Sequence, residues 1–104
     1  MYTATTPKLT FEVEDNCDLT QADRVWVTIN NKKDEILLEK DLTVEDADTA
    51  SVVLTQAETL ALPVGTHLAQ INFLYTVDNE TRRGAFDKVE VHVFKNNKNE
   101  VVVE

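Results

Sequence analysis

The chain reads as an all-β protein, an antiparallel β-sandwich of six to seven strands with one short helix near residues 56–60. Three observations predict this. Apolar and polar residues alternate with period two in several stretches, turn-forming clusters separate those stretches at short intervals, and nothing repeats at the fixed period of a propeller or solenoid. A length of 104 residues points to a single domain over 1–104. A chain of that size buries roughly 65% of its unfolded surface, enough for a core without a metal or disulfide staple.

The first strand is signalled by Leu9, Phe11 and Val13, which alternate with Thr10, Glu12 and Glu14; residues 1–6 before it are expected to be a flexible N-terminus. Val25, Val27 and Ile29 mark the second strand, and Asn30 to Asp34 supplies turn chemistry before Ile36 and Leu38, so residues 24–40 read as a β-hairpin. A β-branched run from Ala50 to Leu54 gives the next strand. It stops at Thr55-Gln56-Ala57-Glu58, the pattern of a capping box, in which Thr caps the helix and Glu reaches back three residues later. Pro63 and Gly65 limit that helix to one or two turns, with Ala57 and Leu60 expected inward.

A long strand follows, with His67, Ala69, Ile71, Phe73, Tyr75 and Val77 on one face. Asp78 to Thr81 makes a turn, and Gly84 is read as a bulge or tight bend at the start of the last strand, where Val89, Val91 and Val93 alternate with polar neighbours. Residues 95–104 form a C-terminal tail. Its Val101, Val102 and Val103 are apolar and β-branched, so they are expected to pair with a sheet edge in a neighbouring copy or a partner protein; the alternative is that the tail pairs within its own domain as a seventh strand or frays.

Nineteen acidic against ten basic residues give a net charge of -9. That balance argues against nucleic acid and against anionic membrane surfaces. No apolar run approaches the length that spans a bilayer, and the N-terminus carries no secretory signal pattern, so the expected location is cytoplasmic or virion-associated. One cysteine, Cys17, rules out an internal disulfide, and its acidic neighbours Asp15 and Asp18 raise a thiol's pKa, the wrong setting for a nucleophile. The Glu45, Asp46, Asp48 loop lacks the glycine and distal glutamate of a calcium loop, and the acidic group Glu12, Glu14, Asp15 and Asp18 reads the same way, as solvated charge. His67 and His92 are expected at the surface. No catalytic residue, cofactor site or metal site is predicted, and the chain is not expected to be an enzyme.

Trp26 is the one large apolar residue out of phase with its strand. It reads either as an outward interface anchor or as a core residue, the latter if the sandwich exposes Val25 and Val27 instead. With Val101, Val102 and Val103 it makes up the candidate interface.

Two segments carry a resemblance: Thr6-Pro7-Lys8-Leu9-Thr10-Phe11, and Ser51 to Leu60, most specifically Leu54-Thr55-Gln56-Ala57-Glu58-Thr59-Leu60. With the long final strands and the valine-rich tail, they resemble small prophage-encoded immunoglobulin-like proteins of the tail and baseplate gene region. The chain is also similar to the N-terminal domain of phage upper baseplate proteins, over about residues 5–103. Where those relatives carry glycine in turns, this chain has Asn30-Asn31 and Asp78-Asn79. The resemblance implies an immunoglobulin-like sandwich and an accessory structural role, with phage structural proteins or other copies of the chain as partners. The alternative expectation is an immunoglobulin-like binding or adhesion domain that recognises a carbohydrate or protein through its loops.

Overall fold

A computed structural model describes residues 1–13, 18–97 and 102. Among the described residues the strands are β1 (Lys8–Glu12), β2 (Arg24–Asn30), β3 (Ile36–Asp41), β4 (Thr43–Val44), β5 (Thr49–Val53), β6 (Gly65–Val77), β7 (Glu80–Ala85) and β8 (Val89–Val93), with one α-helix, α1 (Gln56–Ala61), and a single 3-10 turn, Leu19–Gln21. They form two packed antiparallel sheets, an all-β sandwich. One sheet has the order β1-β5-β4; the other runs β3-β2-β6, and β6 then pairs with both β7 and β8.

Alternation decides which side of each strand is buried. Val25, Val27 and Ile29 of β2 and Ala69 and Ile71 of β6 point between the sheets, where they meet Ala50 and Val52 of β5. β3 and β4 are separated only by Leu42, whose N–H donates to Val25 O at 2.8 Å. The chain changes sheets at this residue, so that side of the sandwich is a closed corner.

The final strand differs from its expected form. Residues 80–93 divide into β7 and β8, interrupted at Phe86 to Lys88, and both lie on the same side of the long β6. Phe86 N–H donates to Ile71 O, and Gln70 Nε2 donates to Phe86 O, so the interruption itself is stitched to β6. Gly84 is not a bulge. It sits opposite Phe73, and a Cβ there would clash with the Phe73 ring, whose far end lies against bare backbone. The β6–β7 turn is tight, with Asp78 and Asn79 both left-handed at φ 51° and 63°, the conformation of two-residue hairpins.

The helix has the predicted capping box: Glu58 N–H donates to Thr55 Oγ1 at 3.1 Å and Thr55 N–H to Glu58 Oε1 at 2.8 Å. Glu58 also receives Lys40 Nζ at 2.7 Å. Burial pulls its carboxyl pKa upward, but the hydrogen bonds from Lys40 and Thr55 outweigh this and hold it below the usual glutamate value. Its inward residue was misread from the sequence. Ala57 is exposed and Leu60 half-buried, whereas Thr59 is fully buried. The cause is the N-terminal segment: Thr5 N–H donates to Thr59 Oγ1 at 2.9 Å, and Thr59 Oγ1 donates to Thr5 O at 2.8 Å. Thr55→Ala removes the cap and should lower the unfolding free energy by about 1 kcal/mol, read from urea titration, while Thr55→Ser should stay close to the parent.

Residues 1–6, expected to be flexible, are tied down. Met1 N donates to His92 O, Phe94 N–H to Met1 O, and Thr3 N–H to Phe94 O, so the first residues run parallel to the end of β8. The chain then crosses from that edge to β1, closing one end of the sandwich.

Candidate interaction surface

The side opposite the Leu42 corner is open. There the free edge of β1 faces the edge formed by β8 and the Phe86 to Lys88 interruption. The seam holds two hollows that share Phe11 and Val89, of about 320 Å³ toward Phe86 and about 490 Å³ toward Phe94. Val89 points to the interior face of its sheet, yet it is 55% exposed, because no strand of the described residues covers it. Tyr2 and Phe94 pack their rings 5.6 Å apart at the closed end and are 58% and 51% exposed. Large apolar side chains grouped at an uncovered edge are the ordinary mark of an interaction surface.

Strand geometry leaves backbone groups free there. Val13 N–H bonds to Asp48 O and Leu54 N–H to Pro7 O, so the odd-numbered residues of β1 are the ones directed at β5. The N–H and C=O groups of Lys8, Thr10 and Glu12 therefore point out of the sheet, and no described residue pairs with them.

Trp26 takes the outward one of its two expected positions, but covered there rather than exposed. It lies on the outer face of its sheet, with Val25 and Val27 buried beneath, yet it is only 5% exposed. Arg24 and Arg83 cover it, their guanidinium carbons 4.6 and 5.5 Å from the ring centroid. Asp41 holds Arg24 at 2.7 Å, and Asn72 Oδ1 accepts from Arg83 at 3.2 Å. Asn72 is itself buried on that outer face.

Of the tail, Val102 is described, while Val101 and Val103 lie outside the described residues. Gln56 grips the Val102 backbone: its Nε2 donates to Val102 O at 3.0 Å, and Val102 N–H donates to its Oε1 at 2.7 Å. A side-chain amide thus reproduces the two bonds of a strand pair, at the start of α1.

The remaining candidates are dispersed. His67 is buried rather than at the surface, 5% exposed, because it falls on the interior face of β6; its Nε2 lies 2.6 Å from Pro63 O. A carbonyl only accepts, so Nε2 carries the hydrogen, and Nδ1 has no partner among the described residues. His92 is on the opposite face, beside Thr66 and Glu90. Glu45 forms an ion pair with Lys8 at 2.9 Å, whose hydrogen bond lowers its pKa. Cys17, Glu14 and Asp15 lie outside the described residues. Among the described residues, no three of His, Cys, Asp and Glu converge on a metal-sized site, and no helix is long and apolar enough to cross a membrane.

A third hollow, of about 490 Å³, lies under the β6–β7 arm. Phe73 and Tyr75 stack 5.8 Å apart along one wall, and Asp18, Gln21 and Thr76 supply polar groups. Comparison with protein-family models, curated proteins and solved structures finds no match to this chain.

Proposed function

We propose that this protein is a non-enzymatic structural or protein-interaction module, and that its working surface is the open seam between β1 and β8. The observation that carries the reading is the exposed Tyr2, Val89 and Phe94 beside an unpaired strand edge. The proposed setting is a phage or prophage tail or baseplate, with phage structural proteins or further copies as partners. That setting rests on the resemblance of Leu54 to Leu60 and of Thr6 to Phe11.

Val89→Asp and Phe94→Asp place charge in the seam at residues already half in water, so the unfolding temperature should change little. Tagged protein retrieved from cells with the prophage induced should bring down a discrete structural protein, and both variants should lose it. Capture that persists in both folded variants would sink the seam as the working surface.

A second reading follows from the Phe73–Tyr75 wall. Aromatic faces beside carboxylate and amide groups suit a sugar ring, so the arm hollow is the place where a carbohydrate-binding domain would hold its ligand. A discrete hit on a glycan array, with no partner retrieved from induced cells, favours it.

A further inference from the structure

The free edge of β1 is self-complementary, and we infer that two copies of this chain pair through it, antiparallel about Thr10. The inference rests on the interaction-module reading above and names one partner for it.

β1 reads Lys8-Leu9-Thr10-Phe11-Glu12. Turned antiparallel on itself about its centre, it sets Lys8 opposite Glu12 of the second copy, Leu9 opposite Phe11, and Thr10 opposite Thr10. The Lys8–Glu12 contact is then attractive, and by symmetry it occurs twice. The backbone agrees with the side chains. A two-fold axis at Thr10 pairs residues 8, 10 and 12 with 12, 10 and 8, and these are the residues whose N–H and C=O groups point outward. Three mutually bonded pairs give about six hydrogen bonds across the dyad.

Competing arrangements fit less well. A parallel in-register pair puts Lys8 against Lys8 and Glu12 against Glu12. Sliding the antiparallel pair by two residues in either direction loses both contacts between Lys8 and Glu12 and sets no other opposite charges together within β1. Edge strands are commonly protected by charge, but charges of opposite sign at the two ends of a five-residue strand invite antiparallel self-pairing. Lys8 already contacts Glu45 at 2.9 Å, and an ammonium group has donors for both carboxylates. The interface is isologous, as most homodimer interfaces are, and it joins two three-stranded sheets into one of six. A contact of one short strand buries little area, so association is concentration-dependent.

Sedimentation velocity over a micromolar to millimolar series tests this. The parent should pass from monomer to dimer. Lys8→Glu and Glu12→Lys should each raise the dissociation constant roughly tenfold or more, because two attractive contacts become two repulsive ones. The doubly exchanged Lys8→Glu, Glu12→Lys protein should dimerise again. It lacks the Lys8–Glu45 ion pair just as Lys8→Glu does, so recovery reports only the contact between copies. Thr10→Pro deletes an N–H that β5 does not use and should leave a folded monomer, with the fold confirmed by circular dichroism. A parent that stays monomeric at millimolar concentration overturns the inference. So does a dimer that survives Thr10→Pro, or one that the double exchange fails to restore. Retrieval of a partner through Val89 and Phe94 by a protein that never dimerises would leave the interaction reading standing without this edge.

Discussion

Trp26→Ala should lower the unfolding free energy by about 3 kcal/mol, at the low end of the cost of deleting a buried large aromatic. The low end applies because the groups covering the ring are arginine side chains, which collapse into part of the space. The loss combines the burial of the indole at 5% exposure with two cation–π contacts, each about 0.5–1 kcal/mol. For a domain of this size the midpoint should fall on the order of 15 °C. Trp26 is the only tryptophan, so the change is followed by circular dichroism rather than fluorescence. In the parent, emission should be that of an indole out of water and poorly quenched by acrylamide. Arg24→Ala opens the cover and should restore quenching while costing much less stability. A Trp26→Ala loss below about 1 kcal/mol would mean that the guanidinium cover does not keep water from the ring, and would return Trp26 to the role of an accessible interface anchor.

Gly84→Ala should cost about 2 kcal/mol, although alanine is the better strand residue by up to about 1 kcal/mol. The steric term outweighs the propensity term, because the new methyl falls 2.2 Å from Phe73 Cζ and within 2.8 Å of both ring Cε atoms. The ring is not free to swing aside. It is held between Tyr75, at 5.8 Å, and Phe86, at 5.1 Å. Phe86 in turn anchors the interruption between β7 and β8, so a displaced Phe73 should loosen the wall of the seam as well. Urea titrations of the four proteins of a double-mutant cycle check the mechanism. In a Phe73→Leu background, the same Gly84→Ala change should cost less than half as much. Equal costs in both backgrounds would place the strain in the backbone of β7 instead of at the ring.

Both residues show where reading the chain stopped. Gly84 stood out in the sequence, since glycine inside a strand pattern signals either a bend or a close approach. Only the register of β6 against β7 sets it opposite Phe73 and so decides between them. Trp26 stood out as well, and its side of β2 was one of the two positions foreseen. What covers it comes from Arg24 on its own strand and Arg83 on a strand 57 residues later. Asn72 was passed over altogether, because it looked like one more outward polar residue.

What the sequence determined by itself was the set of local decisions. Alternation assigned the interior faces of β1, β6 and β8 but left β2 open between Trp26 and the side of Val25 and Val27, Thr55 and Glu58 announced the capping box, and the Asp78-Asn79 pair placed the hairpin turn. Each depends on residues a few positions apart, within reach of a backbone or side chain. The lateral order of strands was decided only by the tertiary structure, because it depends on contacts between residues far apart in the chain. Met1 to Thr3 lies beside His92 to Phe94, Thr5 is bonded to Thr59, and β7 and β8 share one side of β6. That order buries Thr59 and His67 and closes one flank at Leu42. It also leaves Val89 bare beside the unpaired edge of β1, for periodicity tells which residues share a face but not what lies over that face.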